Sequence, residues 1–269
     1  MALGLSVGEV PRIALLGFGR IGRRIAGFRP DLVAVLVRPA QSEAARVLLP
    51  HAVVATELDA VLAARPDVVV EAAGVALLRE AGEAVLRAGA DLIPLSLTAF
   101  AEDAMLAGLQ AAAAAAGTRL VVPPGAIGSL DALGAAKEAG LAAVTYRSVK
   151  PPRVFRGTIV AQRLDLGALA VPTVVFDGTA REAARDFPRT CNVTVGIALA
   201  GLGLDRTRVE LVADPAAERT THEVAFACDA ASGRIEMTGR LLPPDGDPAD
   251  MTAFSVLRLL RRWRHPVFV

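Results

Sequence analysis

The amino-acid sequence predicts an α/β protein, with an N-terminal doubly wound parallel sheet followed by a second domain of α+β type. Three observations carry this expectation. From Ile13 onward, apolar runs of strand length alternate with segments of helix length, the pattern that a parallel sheet covered by helices requires. A glycine-rich turn, Gly17 to Gly22 (GFGRIG), joins the first apolar run to the first helical segment. Beyond Ala143 the alternation gives way to strand-like runs separated by turn-prone stretches such as AASG at 230 to 233, which suits antiparallel pairing. With 269 residues the chain can bury one large or two modest cores. Two are expected, over residues 1–140 and 141–269, with a C-terminal helix at 249–264 returning to the first.

Ile13 to Leu16 is the opening strand. The turn after it matches G-x-G-x-x-G, the dinucleotide fingerprint of a Rossmann domain. Gly17 permits the tight turn, Gly19 lets backbone approach a pyrophosphate, and Gly22 lets the helix pack closely on the strand. The helix starting near Arg20 and Ile21 points unpaired N–H groups and a positive dipole end at the phosphates. Gly-rich turns also serve purely structural ends, so the surrounding strand, helix and second strand, Leu32 to Val37, give the match its weight.

At the tip of that second strand an acid would bind the adenosine ribose 2′-OH, whereas an arginine accommodates a 2′-phosphate. Here the residue is Arg38, and no acid occurs until Glu43. NADP is therefore expected to be accepted at least as well as NAD; an arginine stacked on adenine or simply solvated is the alternative. Ala52–Ala55, Asp67–Glu71, Asp91–Leu95 and Arg119–Val122 complete six strands, interleaved with helices over Leu58–Ala64, Val75–Ala88 and Ala99–Ala116. The alanine run at 111–116 is explained by helix propensity. Ala73 and Gly74, small residues at a strand's carboxyl end, leave room for the cofactor or make only a tight turn. Gly125 and Gly128, in PPGAIGS, point the same two ways. Leu130–Ala139 is a helix leading into the second domain.

In that domain the expected strands are Ala143–Val149, ended by Pro151 and Pro152, then Thr173–Phe176, Arg208–Ala213, His222–Cys228 and Arg234–Leu241. Thr179–Asp186 is helical, and Asn192–Leu202 is a helix or an apolar turn-rich run. Arg258, Arg261, Arg262 and Arg264 fall on the solvated or last-turn face of the closing helix, where cations suit the dipole.

Charge and composition exclude several classes. A net charge of +1 offers no basic field for nucleic acid. Cys191 and Cys228 lack CxxC spacing and a histidine set, so neither metal nor disulfide framework is expected. The positive mean hydropathy comes largely from alanine and valine, and no run suits a membrane span. The N-terminus has no charged, long apolar leader pattern, and a cytoplasmic protein is expected. No G-x-S-x-G elbow supports a hydrolase.

Only His51, His222 and His265 can supply an imidazole. His51 follows a proline in a surface-like connection, and His265 is close to the end. His222 opens an apolar strand, where a group titrating near neutrality could move a proton during a redox step or serve only as a satisfied structural histidine. Asn192 could hold a carboxylate or a carboxamide, or cap the helix that begins there. Lys150 could bind a carboxylate or form a surface ion pair.

Together, GFGRIG, PPGAIGSLDAL at 123–133, SVKPP at 148–152, FDGTAREAARDFP at 176–188, the block Cys191 to Pro215 and His222 in TTHEV resemble the L-aspartate dehydrogenase family. The resemblance covers nearly the whole chain. It implies a Rossmann domain, a second domain for substrate and dimer contacts, and hydride exchange between L-aspartate and iminosuccinate, which exchanges with oxaloacetate and ammonia and can feed NAD biosynthesis. His222 falls on the family's catalytic histidine, Ala126 and Asn192 on positions that contact the nicotinamide cofactor, and Asn192 with Thr194 toward the dicarboxylate substrate. A homodimer is implied, with no nucleic-acid or membrane partner. The sequence departs from the family pattern at Pro124, Thr190 and Asp247–Thr252, which leaves open another small amino or imino acid as substrate. A non-catalytic dinucleotide sensor is the alternative from a different class.

Overall fold

The computed structural model describes residues 11–29, 31–242, 247–248 and 251–263. His265, Arg264, Ala249 and Asp250 lie outside the described residues. The chain forms two compact units, Met1–Pro123 with Thr252–Val269, and Pro124–Met251.

In the first unit, β1 (Ile13–Leu16) leads into α1 (Arg20–Phe28), β2 (Ala34–Leu36), α2 (Ser42–Leu48), β3 (Val53–Ala55), α3 (Leu58–Ala63), β4 (Val68–Glu71), α4 (Val75–Arg87), β5 (Asp91–Pro94) and α5 (Asp103–Ala116). The sheet is five-stranded and parallel in the order β3-β2-β1-β4-β5. Ile13, Leu15, Val35, Val68, Val70 and Ile93 pack with Ile25 and Ala26 of α1 in one core cluster. Continuous burial along β1 and β4 reflects helices on both faces of a parallel sheet.

Two expectations are corrected. Arg119–Val122 is not a sixth strand: Leu120 makes a single bridge to Leu92, held by Leu92 N donating to the Arg119 carbonyl and Val121 N to the Leu92 carbonyl. Two prolines, Pro123 and Pro124, follow at once and lack the donors that a longer ladder needs. The helix expected over Ala99–Ala116 is split. Leu97–Ala101 is a buried 3-10 turn, extended backbone at Glu102 breaks it, and α5 starts at Asp103.

The second unit contains α6 (Leu130–Glu138), β6 (Ala143–Lys150), α7 (Val160–Arg163), β7 (Thr173–Thr179), α8 (Ala180–Asp186), α9 (Asn192–Ala200), β8 (Arg208–Ala213), β9 (Thr221–Ala227), β10 (Ser232–Thr238), β11 (Leu241–Leu242) and β12 (Asp247–Pro248); α10 (Met251–Arg262) follows. The main sheet runs β10-β9-β6-β8-β7, antiparallel except between β6 and β8. The first unit ends at Pro123 rather than at residue 140, because α6 packs on α9. On α10, Ala253, Val256, Leu257 and Leu260 are buried in the core cluster of the first unit.

Central β6 alternates strictly. Val144, Tyr146, Ser148 and Lys150 are buried, while Thr145, Arg147 and Val149 on the other face are part-exposed. That other face is laced by ion pairs between Arg147 and Glu210 and between Arg234 and Glu223. Among the described residues no helix is long and apolar enough to cross a membrane.

Helix α1 sits so close to the turn that a Cβ on Gly22 would lie 2.2 Å from the Gly17 carbonyl oxygen, whereas a Cβ on Gly27 of the same helix would meet nothing within 4 Å. Gly22→Ala should therefore destabilise the protein by about 1–3 kcal/mol through overpacking. Gly27→Ala should stabilise it by about 0.5–1 kcal/mol through helix propensity. Denaturant midpoints of the two variants check this, and equal effects would contradict the close approach.

Candidate active site

In the first unit the glycine turn rests against the end of β4. Gly17 has φ +103°, and a Cβ there would come within 2.8 Å of the Ala72 carbonyl and the Ala73 methyl. At Gly19 a Cβ would meet nothing within 4 Å, so open space lies in front of the start of α1. Gly19 is also the N-cap and offers no side-chain cap. Arg20 and Ile21 form the first turn behind it. This arrangement fits a diphosphate, which needs close backbone, free N–H groups and the positive end of a helix dipole.

Sequence reasoning missed the group that builds the opposite wall. Glu71, fully buried at the end of β4, accepts hydrogen bonds from the Ala73 and Gly74 backbone N–H groups at 2.7 and 2.8 Å. It also accepts from the backbone N–H and hydroxyl of Ser96 at 3.1 and 2.9 Å. Four donors compensate a buried carboxylate that would otherwise be costly, and they pin the small residues beside Gly17. The sequence signal was an acid ending an all-valine strand, with a serine just past the end of the next strand.

Arg38 lies just beyond β2. Its backbone N–H and Nε donate to Gln41 Oε1 at 3.3 and 3.4 Å, and Gln41 Nε2 donates to the Phe18 carbonyl at 2.9 Å. Gln41 thereby ties Arg38 to the glycine turn.

In the second unit, Ala126 lies in a turn flanked by Gly125 and Gly128. A Cβ on Gly125 would sit 3.7 Å from Val193 of α9, and one on Gly128 would sit 3.9 Å from Met237 Sδ. Met237 is the register partner of His222 across β10 and β9. The turn is thus close both to the start of α9, where Asn192 and Thr194 are, and to the strands bearing His222. Asn192 does not cap its helix; Cys191 is the N-cap residue and Asn192 is the first helical residue.

His222 is part-buried, and its Nδ1 lies 2.6 Å from the Tyr146 hydroxyl, the two rings lying end to end through this contact with centroids 6.1 Å apart and planes inclined by 19°. Burial first, and the nearby Lys150 second, push its pKa down to about 4. The imidazole is therefore neutral at neutral pH. Lys150 is not a surface lysine: it is 3% exposed and donates to the Thr190 carbonyl at 3.2 Å. Burial lowers its pKa, and Cys191 opposes that shift. Burial raises the Cys191 thiol and the Tyr146 phenol, so both stay protonated.

The buried hydroxyls of Thr190 and Thr194 make no hydrogen bond, although Thr194 lies near Tyr146 and Cys191. An unsatisfied buried hydroxyl costs about 1–3 kcal/mol; one here belongs to Thr190, whose carbonyl accepts from Lys150, and the other to Thr194, which neighbours Tyr146 and Cys191. Among the described residues no His, Cys, Asp and Glu cluster could hold a metal ion. A cavity of about 230 Å³ between α7 and β7, lined by Val160, Leu164, Val174 and Phe187 among others, contains none of these residues.

Comparison with known proteins follows the two units. Residues 17–123 match the model described as homoserine dehydrogenase, NAD binding domain, and residues 131–263 match aspartate dehydrogenase, C-terminal. The chain is 43% identical over 260 residues to an L-aspartate dehydrogenase of Ruegeria pomeroyi, covering 95% of this chain and 93% of that protein. It is 41% identical to one of Brucella anthropi, covering 95% and 97%. The crystal structure of aspartate dehydrogenase from Thermotoga maritima matches with a TM-score of 0.75 at 25% identity, over 97% of this chain and all of that one.

The depressed His222 pKa has a defined effect on stability. The unfolded histidine takes up a proton near pH 6.5, whereas the folded one does so only near pH 4. This contribution is intact above about pH 6.5 and is lost as pH falls toward 4. The melting temperature should drop over that window, and drop less in Lys150→Met, which removes the second cause. An identical acid slope in both proteins would contradict the coupling.

Proposed function

From the chain's membership of the aspartate dehydrogenase family, we propose that it is an NAD(P)-dependent oxidoreductase that interconverts L-aspartate and iminosuccinate, the latter exchanging with oxaloacetate and ammonia. One observation carries the assignment of roles. A neutral histidine and a buried lysine share one face of a sheet, which supplies a proton acceptor and a cation for a carboxylate in a single polar cluster.

A bound nicotinamide would supply the hydride chemistry at C2 of the substrate. The open space at Gly19, the pinned Ala73–Gly74 segment and the uncapped start of α1 fit the cofactor's diphosphate. Gly17 and Gly22 keep that turn tight, and Ala126 and Asn192 are assigned to the nicotinamide end. In the oxidative direction His222 takes a proton from the water that adds to the imine carbon; in the reverse direction it returns one. Lys150 is assigned to a substrate carboxylate, and Asn192 and Thr194 supply further polar contacts. Proton transfer by a positioned group contributes roughly 10²- to 10⁴-fold, and holding the reactants in line contributes further.

Arg38, held by Gln41, suits a 2′-phosphate and favours NADP over NAD. A second reading, a dehydrogenase or imine reductase for another small amino or imino acid, is favoured by Thr190. Its hydroxyl is buried without a partner beside Lys150, where the family commonly has asparagine.

The deciding measurement is absorbance of the reduced nicotinamide with oxaloacetate, ammonia and each cofactor in turn, followed by a panel of other oxo acids. Fast turnover with oxaloacetate is expected; faster turnover with a different oxo acid would give the second reading, and none with any would refute both. His222→Ala should lower turnover by roughly 10²-fold or more while leaving cofactor binding intact, and retained activity would refute its role. Arg38→Ala should weaken NADPH more than NADH, whereas equal loss would remove the preference.

A further inference from the structure

We propose that Glu71 is an internal anion that closes the start of α4 to phosphate, so that a dinucleotide has a single diphosphate seat, at the start of α1. The inference rests on the dinucleotide reading given above and names the residue that fixes where along the sheet edge the cofactor lies.

Two helix starts compete for the same ligand. In the order β3-β2-β1-β4-β5 the chain leaves β1 toward β2 and leaves β4 toward β5. The starts of α1 and α4 therefore flank one crevice at the carboxyl edge, where ligands bind in such sheets. Both helices begin at a glycine N-cap, Gly19 and Gly74, with no side-chain cap. A Cβ added at either glycine would meet nothing within 4 Å. By space and dipole alone, each start could receive a phosphate.

Glu71 makes them different. It stands in register with Leu16 of β1 and is fully buried. Its Oε1 accepts from the Ala73 and Gly74 N–H groups and from the Ser96 hydroxyl, and its Oε2 accepts from the Ser96 N–H. Both oxygens thus act as acceptors, the arrangement of a carboxylate. One of those N–H groups belongs to the N-cap of α4 itself, so the positive end of that helix already meets a negative charge. Among the described residues no carboxylate holds the Gly19 N–H. A phosphate at α4 would face a like charge at the N-cap, whereas one at α1 meets the dipole without it.

The choice of helix matters for the chemistry. Neighbouring strands are about 4.8 Å apart. A diphosphate seated on α4 would carry the rest of the cofactor sideways by about that distance, more than the alignment of reacting atoms tolerates. Glu71 is a positioning residue; buried behind the loop, it need not touch the cofactor.

Backbone ¹H–¹⁵N spectra of the full protein, recorded while inorganic pyrophosphate is added, read both helix starts at once. In wild type the amides of Arg20, Ile21 and Gly22 should move, and those of Val75, Ala76 and Leu77 should stay. Glu71→Gln removes the charge and keeps an oxygen for the Ala73 and Gly74 N–H groups, so the α4 amides should then respond at pyrophosphate concentrations that leave them unmoved in wild type. Ser96→Ala removes one donor and keeps the charge, and should behave as wild type. Movement at α4 in wild type, none there in Glu71→Gln, or the same response in Ser96→Ala would overturn the proposal. The wild-type titration needs no variant, so it decides even where Glu71→Gln does not fold. An α1 start unmoved by pyrophosphate, NADH and NADPH alike would instead sink the dinucleotide reading itself.

Discussion

A lysine, a serine and a tyrosine on the buried face of one central strand constrain everything around them. Such groups cost free energy unless partners are supplied, and the second unit supplies them from separate elements: the Thr190 carbonyl ahead of α9 for Lys150, the Thr221 carbonyl for Ser148, and His222 for Tyr146. The strand register of β6 with β9 makes two of these partnerships possible at once. A slip of one residue would turn Tyr146, Ser148 and Lys150 to the opposite face, where Arg147 and Glu223 now meet charged partners. The polar cluster and the pairing of the sheet therefore specify one another.

The first unit solves a different problem with a related device. There the glycine turn brings backbone against the end of β4, where a side chain would not fit, and the neighbouring loop is held still. Gly17 achieves the approach, and Glu71 immobilises the neighbouring segment through the Ala73 and Gly74 N–H groups. The buried Glu71 side chain is tolerated because four hydrogen-bond donors satisfy its two oxygens.

The fold was legible wherever period and punctuation agreed. Ile13–Leu16, Val75–Arg87 and Arg208–Ala213 follow from apolar runs bounded by glycine, proline or charge. Arg119–Val122 was misread because an apolar run has strand propensity whether or not a neighbour completes the ladder, and only one bridge forms. The split at Glu102 was hidden because the flanking alanines suit a continuous helix and local composition does not report a 3-10 turn packed under tertiary contacts. At the site, His222, the glycine turn and Asn192 could be singled out from residue type and position. Tyr146, Ser148 and Glu71 could not, since each acquires its meaning from a partner on another strand or loop. Lys150 was visible as a residue and misjudged in environment, because burial of a lysine is a property of the alternation of β6 and not of its immediate neighbours.

The return of α10 to the core of the first unit makes that unit discontinuous along the chain. Its hydrophobic interior includes Ile13 and Leu15 from one end and Val256 and Leu260 from the other. During synthesis the interior cannot close until α10 has left the ribosome. The intervening unit, complete by Met251, has all its strands available earlier, so vectorial synthesis favours the inserted unit maturing before the one that encloses it in sequence.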